Sequence, residues 1–129
     1  METAKFRIDD FELYRLARAF RVKVYQLIRQ LSAEEKYALA PQMRRAAVSI
    51  TNNIAEGHGR WHYKENMNFC RISRGSLKEI IDDLNVCEDE KYGEQTMVSQ
   101  LKQEAYALIP RINSYILYLK KSQQGDLGQ

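Results

Sequence analysis

The chain has 129 residues, 44% hydrophobic and 29% charged, with a formal net charge of +3. That length suffices for one domain whose core needs neither metal nor disulfide, and the hydrophobic content excludes a disordered chain. Six Gly and two Pro argue against a turn-rich β fold. No apolar run approaches the ~20 residues of a membrane span, and the N-terminal METAKFRIDDFE lacks a signal peptide's apolar segment and cleavage site, so a cytoplasmic protein without a membrane partner is expected.

Along the chain, Leu13, Ala17, Phe20, Val24, Leu27 and Leu31 recur at alternating steps of four and three, the pattern of a helix with one buried face. The following Ser32-Ala33-Glu34-Glu35 predicts a turn in which Ser32 caps a short helix and Glu35 reaches back to its N–H. Pro41 disfavours helix at Ala40 but suits the first turn of a second helix, whose stripe is Met43, Ala47, Ile50 and Ile54. Gly57 is expected to stop that helix in a left-handed conformation, with Gly57 to His62 forming the connection.

The third helix is predicted from about Tyr63 to Glu90, with Phe69, Ile72, Ser73, Leu77, Ile80, Leu84 and Cys87 on its inner face. Gly75 costs ~1 kcal/mol relative to alanine there, which a close neighbouring backbone would explain. Past the charged EDEKYGE turn, Val98, Leu101, Ala105, Leu108, Ile112, Tyr115 and Leu119 predict a fourth helix, kinked near Tyr106 by Pro110. The composition of residues 123–129, QQGDLGQ, predicts a disordered tail after a domain of residues 1–122. Four amphipathic helices with short connections predict an all-α fold: an antiparallel up-down-up-down four-helix bundle with a left-handed supercoil.

Chemistry-bearing residues are few. Cys70 and Cys87, 17 residues apart on one helix, stand roughly 25 Å from each other, beyond the ~7 Å that a disulfide allows. Gly57-His58-Gly59 lacks the ending of a phosphate loop and follows a helix rather than a strand. His58 and His62 are four apart across helix-breaking glycines, with no further ligand at matching spacing. Glu56 and Glu79 are a possible carboxylate pair, but glutamates near helix ends more often cap or bridge to an arginine such as Arg45 or Arg60. No catalytic residue, cofactor site or metal site is assigned.

The faces are more informative. Residues 1–75 carry 14 Lys/Arg against 8 Asp/Glu, and residues 76–129 carry 6 against 9. Arg15, Arg18, Arg21 and Arg29 turn away from the first helix's apolar stripe, with Tyr14, Val22 and Tyr25 among them. Arginine beside aromatic residues suits a subunit interface or phosphate and stacking contacts, although a solvated charged face is common on any bundle helix. On the second helix Arg45, Ser49, Asn52 and Glu56 form an outward polar stripe. Asn53, at the edge of the apolar arc, is expected to find partners by tying the end of this helix to the next.

The run from Gln42 to Ser49, QMRRAAVS, continued by Asn53-Ile-Ala-Glu56-Gly57 and Arg60, resembles the signature of the 23S rRNA intervening-sequence proteins. A second block, Phe69 then Ile72-Ser73-Arg74-Gly75-Ser76-Leu77 and Glu79, resembles that family's Gly-Ser-x-x-Glu stretch on its third helix. The likeness covers roughly residues 11–120 and departs at Ser73-Arg74, where the family has an apolar or alanine residue before the glycine. It implies an antiparallel four-helix bundle assembled as a ring-like homopentamer. It also implies distant similarity to the accessory proteins of diversity-generating retroelements, which bind a reverse transcriptase and nucleic acid through a basic barrel. The family name reflects genes found inside ribosomal RNA insertions, so neither a ribosomal role nor catalysis follows from it.

Two functions follow as expectations. The first is a non-enzymatic, self-assembling scaffold or adaptor that binds copies of itself or a partner protein. The alternative is salt-sensitive, sequence-tolerant binding of RNA or DNA through the basic face.

Overall fold

The computed structural model describes residues 7–127, and their order is set by four helices. α1 spans Glu12–Ile28, α2 Leu39–His58, α3 Tyr63–Glu90 and α4 Gln95–Leu127. Short 3-10 turns, Ile8–Asp10 and Ala33–Glu35, precede α1 and α2. No strand occurs among the described residues. The chain reverses at each short connection, so α1 and α3 run one way and α2 and α4 the other, an antiparallel four-helix bundle. Packing is most extensive for α2–α3 and α3–α4, and sparsest for the closing pair α1–α4.

Helical periodicity accounts for the core. Leu13, Ala17, Phe20, Val24 and Leu27 of α1 are buried, as are Met43, Ala47, Ile50 and Ile54 of α2. Val98, Leu101, Ala105, Leu108, Ile112 and Leu119 complete it from α4. The α3 stripe differs from expectation, because Ile72 is 52% exposed while Met67 and Cys70 lie inside with Ser73, Leu77, Ile80, Leu84 and Cys87. Hydrophobicity favours Ile72 over Ser73, but the inward arc contains Ser73, whose hydroxyl is satisfied by the Ile50 carbonyl at 2.8 Å.

Several helix ends depart from the local signals. Ser32 makes no side-chain cap, and Glu35 turns instead to accept the Tyr92 hydroxyl at 3.1 Å, tying this connection to the α3–α4 turn. Pro41 does sit in the first turn of α2, which already includes Leu39 and Ala40. α3 stops at Lys91 with φ 59°, and Gly93 follows at φ 72°, where a Cβ would stand 2.6 Å from Leu27 Cδ1. α4 runs unbroken through Pro110 and past Ser122 to Leu127, where composition pointed to disorder. Gln123 and Gln124 are good helix formers and extend it, while Gly128 and Gln129 lie outside the described residues.

Neither motif glycine has its expected role. Gly57 does not stop α2 in a left-handed conformation; it is buried inside the helix, which ends at His58 with Gly59 following at φ −81°. A Cβ on Gly57 would stand 2.6 Å from Asn66 Oδ1, 3.0 Å from Phe69 Cβ and 3.1 Å from the Asn66 carbonyl oxygen. Gly57 thus lets the start of α3 lie against the end of α2. Gly75 is exposed and has nothing among the described residues within 4 Å of its Cβ position, so no neighbouring backbone described explains it. Gly57→Ala is expected to destabilise by about 1–3 kcal/mol through overpacking, and Gly75→Ala to stabilise by up to about 1 kcal/mol. Urea unfolding of the two variants checks this, and equal effects would refute the packing assignment.

Candidate functional site

Two residues seven apart on α2 meet two seven apart on α3. Ser49 Oγ lies 2.7 Å from Ser76 Oγ, and Gln42 Nε2 donates to Asp83 Oδ1 at 2.6 Å. Seven residues are two helical turns, so these bonds fix the antiparallel register of the seam. Asn53 does not tie helix ends as expected. Its amide donates to the Ser49 carbonyl at 2.8 Å and to Ser49 Oγ at 3.0 Å, within α2. Asn66 takes the tying role instead: it is 6% exposed, donates to the Tyr115 hydroxyl at 3.0 Å and accepts from the Cys70 thiol at 3.6 Å.

Of the positions carried by the family-like blocks, the structure joins Ser49 to Ser76, Asn53 to Ser49, and Glu56 to Arg60 at 2.9 Å. Arg45, Gly75 and Glu79 are exposed along the same pair of helices, and neither Arg45 nor Glu79 has a hydrogen bond or ion pair among the described residues. Glu56 and Glu79 do not converge. The register of the seam sets Glu79 near the level of Arg45, about three turns from Glu56.

The arginine face of α1 is shared with α2. Arg18 stands 3.4 Å from Asp9 Oδ1, and half-buried Arg21 donates to Thr51 Oγ1 at 2.8 Å. Arg15 and Arg29 are exposed and have no such partner among the described residues. Tyr14 and Tyr25 are half-buried, packed against the core. Tyr25, Arg44, Arg45, Val48, Asn52 and Asn53 line an open cleft of about 440 Å³, and Arg21, Val22, Tyr25, Arg29 and Val48 line another of about 350 Å³. Tyr25 and Val48 belong to both, so the clefts adjoin. Arg44 is absent from the sequence-predicted site because its neighbour Arg45 lies on the outer stripe. Its placement 100° round the helix, on the α1 side, was the available signal.

Histidines and cysteines form no reactive group. His58 stacks on Phe11 with ring centroids 4.7 Å apart, and burial lowers its pKa below the usual 6.5. His62 is the residue before α3. Burial pushes the Cys70 and Cys87 thiols up to about 11, so they stay protonated. Among the described residues, no three His, Cys, Asp or Glu side chains gather as metal ligands.

This bundle, with its seam of small polar residues, can be set beside known proteins. Residues 9–114 match the model of the 23S rRNA-intervening sequence protein family. The chain belongs to that family. A similar solved structure is a protein of unknown function from the S23 ribosomal protein family of Bacteroides thetaiotaomicron VPI-5482. It is 17% identical with a TM-score of 0.75, over 81% of this chain and 97% of that one, which supports the fold alone. No curated protein matches the chain.

In this intervening-sequence family member the seam also holds an unbalanced charge. Asp83 is 1% exposed, and its Oδ2 has no hydrogen-bond partner among the described residues. Burial pushes its carboxyl up to about 6, assisted by Asp82 and Glu79 and opposed by the bond from Gln42. In this window the folded protein holds a proton that the unfolded chain, near 3.8, has released, so stability falls as pH rises from about 4 to 6. Asp83→Asn removes the charge and keeps an acceptor for Gln42. The variant is expected to be more stable than the parent by about 1–3 kcal/mol at pH 7, with the difference shrinking toward pH 4. Chemical unfolding at both pH values tests this, and a pH-independent difference would refute it.

Proposed function

We propose that the protein works by binding rather than catalysis, and that the arginine surface over α1 and α2 holds nucleic acid by its phosphates. The observation that carries this reading is the set of guanidinium groups without a partner among the described residues, Arg29, Arg44 and Arg45, around adjoining clefts lined by no acidic side chain. A guanidinium is always charged and offers a planar fork of donors matched to phosphate oxygens. Such contacts position a backbone without reading its sequence, so binding should be sequence-tolerant and salt-sensitive. Affinity for a structured RNA is expected to fall steeply between low and physiological salt. Replacing Arg44 and Arg45 together by alanine should lower the salt slope by about one for each phosphate that is no longer neutralised. Filter binding across a salt series tests this, and absence of binding at low salt would remove the reading.

Self-association is a second reading, supported by a different strip. Ile72 is 52% exposed, the Gly75 position is open, and Glu79 and Arg45 along α2–α3 have no hydrogen-bond or ion-pair partner among the described residues. A homo-oligomeric scaffold, pentameric by the family resemblance, would cover these groups with another copy or a partner protein. Light scattering should then give a mass several times 15.1 kDa, and Ile72→Glu should reduce it toward one chain without loss of helicity. A monomer at micromolar concentration counts against the scaffold.

A further inference from the structure

We propose that the arginine surface takes single-stranded nucleic acid, with one unpaired base stacked on Trp61 and another on Tyr37. This rests on the phosphate-binding reading above and names its substrate class. Trp61 is 95% exposed and Tyr37 83%, the two most exposed large hydrophobic side chains described. Trp61 makes no hydrogen bond or ring contact among the described residues. The ammonium of Lys36 lies over one face of the Tyr37 ring, 5.6 Å from its centre, adding positive charge behind the platform.

Their places in the chain put them beyond opposite ends of α2, the helix that carries Arg44 and Arg45. Tyr37 lies in the connection before α2 and Trp61 in the connection after it, so the 20 residues of α2, roughly 30 Å, separate them. Between them the outer side of α2 presents Arg44, Arg45 and Asn52. Glu56, an acid toward the far end, is held by Arg60 at 2.9 Å. The span accommodates fewer than about ten nucleotides at roughly 3.4 Å each. In a duplex the bases are stacked on one another and their faces are closed to a side chain. A single strand offers free faces, and aromatic platforms with basic side chains between them are how proteins hold it without sequence preference.

Trp61 is the single tryptophan of the chain, so its emission reads stacking at that position alone. The full chain at low salt would be titrated with a ~12-nucleotide oligo(dT), within the ~4–16 nucleotide range of single-strand sites, and with a duplex of equal length. Fluorescence anisotropy of the labelled nucleic acid would be followed in parallel. Oligo(dT) is expected to quench the tryptophan as it binds, and the duplex to leave it unchanged. Trp61→Ala should weaken single-strand binding roughly 5- to 150-fold, the range for removing one base-stacking platform, with Trp61→Phe weakening it less and Tyr37→Ala also weakening it. Both side chains are exposed, so circular dichroism and melting should be unaltered. Binding by anisotropy with no quenching, or undiminished binding by Trp61→Ala, would overturn the stacking proposal and leave the phosphate reading standing. No binding of either nucleic acid would remove both. A blue-shifted, concentration-dependent emission without oligonucleotide would assign the indole to an interface between copies and overturn the proposal.

Discussion

At Gly57 the start of α3 lies so close to α2 that one added methyl group would meet the Asn66 carbonyl oxygen and Phe69 Cβ. From that point toward the other end of the bundle, the helices are joined by Ser49 with Ser76 and Gln42 with Asp83. Close approach demands small residues, and small residues at this seam bring polar groups that must be paired once water is excluded. The pairing then fixes the register, because slipping one helix by a turn would leave the buried Ser76 hydroxyl and Asp83 carboxyl without partners. α1 and α4 pack on this pair with larger apolar side chains, Phe20, Leu27, Leu101 and Ile112 among them. The orientation of the outer surface of α2, and with it the arginines, follows from that seam.

The four helices and most of their inward faces were legible in the sequence because three stripes are apolar at regular spacing. α3 was harder. Its bounds at Tyr63 and Glu90 agree with the expectation and Ser73 lies inward as its spacing predicts, yet Ile72 beside it points outward. Adjacent residues stand about 100° apart on a helix, and with the serine hydroxyl satisfied by a carbonyl it is the isoleucine that lies outside the inward arc. The glycines show the same limit. A glycine near the end of a helical pattern has two uses, a left-handed stop or a close approach of backbones, and only the neighbouring helix distinguishes them. Asn53 and Asn66 are alike as residue types, but Asn66 is opposite a tyrosine of α4 while Asn53 bonds within its own helix.

The candidate surface was partly legible. The arginines of α1 were visible from their angle around the helix, whereas their pairing was not. Arg21 reaches Thr51 and Arg18 stands near Asp9, while Arg29 has no partner among the described residues. Those differences depend on residues 30 positions along the chain for Arg21 and nine back for Arg18. Arg44 likewise acquires its place only when α1 lies beside it and Tyr25 forms the other wall of the cleft.

Arg45 belongs to both surfaces, since it lines the arginine cleft and lies along α2 beside the strip that carries Glu79. If the protein both binds phosphate and self-associates as proposed, this shared residue would couple the two. If copies meet through Ile72 and Glu79, Arg45 is the cleft arginine nearest the interface, while Arg21, Arg29 and Arg44 remain on the α1 side. Each copy then contributes only a few phosphate contacts, which alone give weak binding. Repetition around an assembly would convert those contacts into avidity, because a strand held by one copy meets the next at high effective concentration. Weak binding by a monomer and tight binding by an assembly would therefore have the same local chemistry, and the concentration at which copies associate would set the affinity for nucleic acid.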